Sequence, residues 1–255
     1  MANMYQDGFA GVYDRLMRGG YSHAEYADYI ERIFGLFGAS PSIVVDLGCG
    51  TGSLCVELRG RGYDMIGIDS SQEMLNIALG KAAAQKGGRD ILFLNQDICD
   101  FELYGTAGAI LSTIDSMNYL TARRQLNRVF ALAGNYLDPG GLFVFDLNTR
   151  HKLSRVIGGN LFYEISDDVC YLWENSYDSA GRISTFDLTF FVRNGDGTYS
   201  RHDERHRQRA HSDAEIAAAA RLARLAQRGV YDCLTFDAPG RDAQKICYVF
   251  QKERP

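Results

Sequence analysis

Between Ile43 and Asp146, short apolar runs alternate with longer stretches in which apolar residues recur at three- and four-residue spacing. That alternation predicts strands joined by crossover helices, the βαβ units of a parallel sheet. The strand candidates are Ile43–Leu47, Met65–Ile68, Ile91–Leu94, Ala109–Leu111 and Leu142–Phe145, apolar on both faces as strands sandwiched between helices must be. Helices are expected near 52–60, 71–85 and 121–136. Ser70 or Ser71 would cap the second. Thr121 would cap the third, and the turn Asp138-Pro139-Gly140-Gly141 would close it. An N-terminal arm, about 20–37, also carries a helical pattern.

After Asn148 the pattern shifts to period two. Residues 160–210 are rich in Tyr, Phe, Thr and Val, and Ser179-Ala180-Gly181 and Asn194-Gly195-Asp196-Gly197 read as hairpin turns, so an antiparallel sheet is expected. In the run RHDERHRQRAH, alternation puts His202, Glu204 and His206 on one face and Arg201, Asp203, Arg205, Arg207 and Arg209 on the other. The first face is either an acid/base cluster turned to a substrate or a polar sheet surface. The second is either a solvated face or, with Arg221, Arg224 and Arg228 at helical spacing, an RNA-binding patch. Ser212-Asp213-Ala214-Glu215 fits a capping box opening an Ala-rich helix to about Arg228. Gly229 would stop that helix, and Tyr231–Phe236 and Ile246–Gln251 would be closing strands.

Length and composition narrow the class. The chain has 255 residues, 46% of them hydrophobic, which is enough for one enlarged α/β domain and excludes disorder. The formal charge of −5 argues against a generally basic nucleic-acid or membrane-surface binder. Six scattered cysteines without a C-x-x-C pair signal neither a zinc site nor a disulfide framework. The segment MANMYQDGFAGVYDRLM lacks the basic and apolar regions of a secretory leader, and no run reaches the roughly 18 apolar residues of a membrane span. A cytoplasmic location is expected.

The sharpest motif is Asp46-Leu47-Gly48-Cys49-Gly50-Thr51-Gly52, directly after the first strand and opening the first helix. A shuffled chain of this composition would contain an acidic-x-Gly-x-Gly-x-Gly pattern roughly 0.04 times. Glycines are needed where backbone must approach a ligand without a Cβ in the way. A dinucleotide fingerprint would place its third glycine at position 53, which is Ser53. The preceding Asp46 suits a ligand carrying an ammonium group better than it suits a pyrophosphate.

VVDLGCGTG resembles the first motif of the class I S-adenosylmethionine-dependent methyltransferases, and the rest of that core follows in order over about residues 40–150. The resemblance implies a Rossmann-like fold: a mostly parallel seven-stranded sheet, order 3-2-1-4-5-7-6, with helices on both faces and here an antiparallel insertion at 160–210 as a lid or substrate region. It implies S-adenosylmethionine as cofactor, with Asp46, Gly48 and Gly50 in the loop. Asp69 of IGIDSS would hold the ribose hydroxyls, followed by Ser70 and Met74. Asp97 of NQDI would take the adenine amine and the Ile98 amide the ring nitrogen. Ser112 and Asp115 would follow the fourth strand at the crevice, and LDPGGLFVFDLNT would supply the turn and fifth strand. FAGVYDRLM and DSMNYLT further resemble a bacterial group whose residues 1–40 would form an arm over the cofactor, bringing Tyr5, Phe9 and Tyr13 near it.

No metal is needed by a reaction whose electrophile is a sulfonium. Asp115 is the first candidate for a general base, with the alternatives that it holds the cofactor's amino group or caps a turn with Asn118. Tyr119 would either shape the pocket or lie in the core. The absence of an N-P-P-Y or D-P-P-Y motif after the fourth strand and of a Pro-Cys pair disfavours nucleic-acid bases as acceptors. The expected partner is a small molecule, with neither membrane nor nucleic acid, and the oligomeric state is left open, a homodimer included. An RNA or protein methyltransferase and a non-catalytic cofactor-binding module are the competing readings.

Overall fold

The apolar runs pair into a seven-stranded sheet in the computed structural model, which describes residues 22–85 and 88–254. Its strands are β1 (Ile43–Leu47), β2 (Asp64–Asp69), β3 (Leu92–Asn95), β4 (Ala107–Ser112), β5 (Leu137–Asn148), β10 (Leu225–Asp232) and β11 (Lys245–Lys252). They lie in the order β3-β2-β1-β4-β5-β11-β10, with β1 to β5 parallel and β11 antiparallel to both neighbours. This is the 3-2-1-4-5-7-6 order expected from the motifs. A separate antiparallel sheet contains β6 (Leu161–Ile165), β7 (Val169–Asp178), β8 (Ile183–Arg193) and β9 (Tyr199–Arg209).

Helices cover both faces of the large sheet. Val44 of β1 packs with α1 (His23–Leu36) and α2 (Ser53–Gly60), whereas Val45 and Leu47 pack with α4 (Arg123–Tyr136) and α5 (Asp213–Leu222). Period-two side chains with apolar residues at both phases produce this two-sided burial. On the α4 side Phe130 lies edge-on to Phe143, Phe145 and Phe250, with ring centroids 5.3–5.6 Å apart. α3 (Gln72–Ala84) begins after β2, and Ser71 is its cap, accepting from the Met74 amide. Capping boxes open α1 at Ser22 and Glu25 and α5 at Ser212 and Glu215. No helix among the described residues is long and apolar enough to cross a membrane. All six cysteines are free thiols.

Several boundaries differ from the sequence reading. The Ala-rich helix ends at Leu222, Arg224 turns the chain at φ 55°, and β10 starts at Leu225, so Arg221, Arg224 and Arg228 form no helical stripe. Pairing with the buried run Cys247–Phe250 of β11 overrides the helical propensity of this segment. Gly229 is accordingly not a helix stop but part of a bulge in β10, where a Cβ would meet the Tyr231 ring at 2.4 Å. Asp138–Gly141 lies inside β5 as an irregularity in its pairing with β4. Ala122, not Thr121, precedes α4, and the Gln125 side chain accepts from its amide.

Candidate functional site

The glycine loop links β1 to α2 at the carboxyl edge of the parallel strands. Gly48, Gly50 and Gly52 all have left-handed backbone, with φ of 75°, 55° and 69°. A Cβ on Gly48 would stand 2.8 Å from Ser116, and one on Gly52 would stand 2.7 Å from Ala78, so both are closed to any side chain. Gly50 has nothing within 4 Å on that side, and there the loop presents bare backbone to open space. Beneath it Asp46 is 2% exposed and accepts from the Cys55 thiol at 3.5 Å. Burial, partly offset by that hydrogen bond, pushes its carboxyl up to about 7.

Asp69 ends β2 and is largely buried. One oxygen accepts from the Gly50 amide at 2.9 Å and the other from the Ser71 amide at 2.8 Å, which ties the carboxylate to the loop it serves. Desolvation raises its pKa, and these backbone donors oppose the rise. Ser70 is exposed, and Met74 is buried in the first turn of α3. β3 stops at Asn95, two residues before Asp97. The Asp97 carboxylate accepts from the Cys99 amide, and the Ile98 N–H has no partner among the described residues. Tyr5, Phe9 and Tyr13 lie outside the described residues.

Across the crevice two expectations change. Ser112 is the last residue of β4, fully buried, and donates to the Leu47 carbonyl at 2.9 Å, so its hydroxyl straps β4 to β1 rather than facing a ligand. Asp115 is not poised as a base. Its oxygens accept from Lys245 Nζ at 2.8 Å and from Gln208 Nε2 at 2.6 Å. Burial would raise its pKa, but Lys245 and Lys152 outweigh that and hold it below the usual carboxylate range. Lys152 is itself pushed down by burial, and it donates to Asn148 Oδ1.

Asp146, near the end of β5, completes this polar floor. It accepts from the amides of Ile114 and Asp115 at 2.8 and 2.7 Å and from the Tyr26 hydroxyl at 3.1 Å, with Lys245 Nζ at 3.5 Å. Sequence reasoning missed Asp146, Lys152 and Lys245. The legible signals were an acid inside LFVFDLN and a lysine directly before the buried run ICYVF.

The antiparallel sheet packs through β9 on the segment after β4 and on the end of β5. On β9 Glu204, His206 and Gln208 are buried and His202 half-buried, while Arg201, Asp203, Arg205 and Arg207 are exposed. The histidine and glutamate face is therefore turned inward rather than to solvent. His206 Nδ1 and the Tyr119 hydroxyl lie 3.5 Å apart, and burial pushes the imidazole down to about 4, leaving it neutral at pH 7. Gln208 also accepts from Asn148, and Asn118 donates to the Arg209 carbonyl, which joins the two sheets. Outside, Arg201 pairs with Asp203 and Arg205 with Asp187, and Arg209 pairs with Glu215 at 2.6 Å.

Residues 44–141 match the methyltransferase domain family. A Bacillus subtilis protein provisionally named methyltransferase YqeM is 31% identical, covering 98% of both chains. A crystallised S-adenosylmethionine-dependent methyltransferase from Clostridium acetobutylicum is also 31% identical, covering 96% of this chain and 98% of that one with a TM-score of 0.88. The chain belongs to the S-adenosylmethionine-dependent methyltransferases. A further relative, a dTDP-3-amino-3,4,6-trideoxy-α-D-glucopyranose N,N-dimethyltransferase of Streptomyces venezuelae, is 28% identical over 56% of this chain and 58% of its own. For a methyltransferase of this kind the left-handed glycines, the bare backbone at Gly50 and the anchored Asp69 suit the cofactor, since a Cβ at any of the three glycines would be strained or obstructed.

Proposed function

We propose that this methyltransferase acts on a nitrogen or oxygen nucleophile of a small-molecule acceptor. The observation that carries this reading is the inward polar face of β9, which makes the crevice chemically equipped, while the arginines of the same strand stand outside and are largely ion-paired. The Streptomyces relative, whose name specifies a nucleotide-linked amino sugar, supports the same size class.

In this reading the glycine loop with Asp46 holds the amino-acid end of S-adenosylmethionine, Asp69 the ribose, and Asp97 with the Ile98 N–H the adenine. When bound, the cofactor supplies a methyl group already activated by its sulfonium. The chain's own residues then have to align the acceptor, exclude water and accept its proton. Asp115 and Asp146 hold the loop after β4 in shape, and the β6–β9 sheet acts as a lid. A cytoplasmic location belongs to the same reading; residues 1–21 of the expected arm lie outside the described residues, and α1 packs on the parallel sheet.

Calorimetry tests the cofactor assignment: the wild type binds S-adenosylmethionine and Asp69→Ala binds it far more weakly. A library of small amines and alcohols with radiolabelled cofactor tests the acceptor class. Transfer confined to RNA or protein would overturn it.

A further inference from the structure

The antiparallel sheet has an open side. Among the described residues β6 is bonded to β7 on one side and to no strand on the other. At its ends the Asn160 carbonyl accepts from the Asn175 amide and the Ser166 amide donates to the Val169 carbonyl, both at 3.1 Å, and the pairing between them runs without a register shift. Residues that exchange bonds with a neighbouring strand alternate in an antiparallel pair, so the even-numbered residues of β6 bond to β7. Leu161, Tyr163 and Ile165 therefore turn their N–H and C=O groups outward, where these have no backbone partner among the described residues.

The side chains of the same three residues lie on the outer face of the sheet, 59%, 67% and 78% exposed, and Leu172, opposite Tyr163, is 45% exposed. Further from the edge that face turns polar, with Thr189 and Asp203 following Leu172 across the register. The strand LFYEI has no lysine or proline to blunt its edge, and Glu164, its one charge, projects from the other face. We infer that a second copy of this chain adds to β6, antiparallel about a twofold axis through Tyr163, which joins the two four-stranded sheets edge to edge. Tyr163 then faces its own counterpart and Leu161 faces the second copy's Ile165, so every outward residue forms a hydrogen-bonded, apolar pair. A shift of two residues would leave one of the three apolar side chains of each copy without an apolar partner, so the strand selects its own register. At these exposures the four side chains leave roughly 450 Å² uncovered, the size of patch that marks an interaction site. Two copies bring roughly 900 Å², and the paired backbones and flanking residues carry the total to the roughly 1,200 Å² at which specific interfaces begin.

Sedimentation of the full chain tests the pairing. The wild type should form a dimer with a Kd of about 10 μM or tighter. Tyr163→Lys sets two like charges directly opposite each other at the axis and should weaken that dimer at least about 100-fold. Tyr104→Lys, at a fully exposed tyrosine elsewhere, should leave the Kd within about twofold. In a Cys170→Ser background, Tyr163→Cys brings two thiols to the axis with Cα atoms about 5.5 Å apart, and oxidation with diamide should give a disulfide-linked dimer. Tyr104→Cys in the same background should stay unlinked. A wild type that is monomeric at about 100 μM, a dimer that Tyr163→Lys leaves unchanged, or a Tyr163→Cys dimer that does not cross-link overturns the inference. Should Tyr163→Lys lack a cooperative thermal transition, Ile165→Lys and the Tyr163→Cys cross-link decide it.

Discussion

In the proposed reading the crevice has a cofactor wall and an acceptor wall, and the two keep their shape by different physics. The cofactor wall is backbone: three left-handed glycines, two of them closed against Ser116 and Ala78, and a carboxylate fastened to the loop by the amides of Gly50 and Ser71. All of it except Ser116 comes from residues 46–98, within one stretch of βαβ units. The acceptor wall is charge and hydrogen bonding. Tyr26, Asp115, Asp146, Lys152, Gln208 and Lys245 converge from across the chain, and the hydrogen-bonded pair Asp115 and Lys245 is 130 residues apart. Steric requirements of backbone fix residue types at short spacing. A charge network fixes only a balance, which many sequences can supply.

The sharpest way to break the acceptor wall is to unbalance it. Lys245→Met removes the cation shared by Asp115 and Asp146 and should cost about 3–5 kcal/mol, read as a lower denaturant midpoint. Adding Asp115→Leu to Lys245→Met should recover part of the loss, whereas any change in the glycine loop should not.

Proton linkage separates the walls by sign. The His206 imidazole lies at about 4 in the folded protein against an ordinary 6.5. The unfolded chain therefore takes up its proton first, and the contribution of this residue is present above pH 6.5 and lost as pH falls toward 4. That amounts to about 3 kcal/mol. Asp46 runs the other way: with its carboxyl at about 7 against 3.8, the folded state holds the proton, and the benefit fades as pH rises from 3.8 through 7. Denaturation between pH 4 and 8 should show a shallower acid-side loss for His206→Gln and a shallower loss at neutral pH for Asp46→Asn.

On the cofactor wall, Asp69→Ala should weaken S-adenosylmethionine binding about 100-fold, equivalent to about 2.7 kcal/mol, while leaving the fold intact. The smallest effect is expected on the outer face of β9. Arg205→Ala breaks an exposed pair with Asp187 and should change stability by less than about 0.5 kcal/mol. Measurable RNA affinity that is lost with Arg201, Arg205 and Arg207 would instead revive the nucleic-acid reading.

What the sequence revealed follows the same division. The parallel sheet was legible because β1, β2, β4 and the second half of β5 are largely buried on both faces and therefore read as apolar runs, and the glycine loop because its φ values admit few residues. Period two along β9 separated its faces correctly, but which face turned inward depends on Phe190 meeting Met74 and His206 meeting Tyr119, contacts that span the chain. Asp115 misled for a related reason. Its position after β4 suits a base, yet the lysine that neutralises that role lies on β11. The helix expected to reach Arg228 failed because propensity is local and strand pairing with β11 is not.

Ile114 and Asp115 both adopt left-handed backbone, at φ 53° and 55°, and their successive amides close around the Asp146 carboxylate. A β-branched residue in that conformation is strained, and two such amides form an anion nest. The loop after β4 is thus a bent spring latched by one negative charge. Trading that carboxylate for an amide would offer the nest a donor in place of an acceptor. The latch would open without any loss of volume, and the acceptor wall would then move independently of the glycine loop it faces.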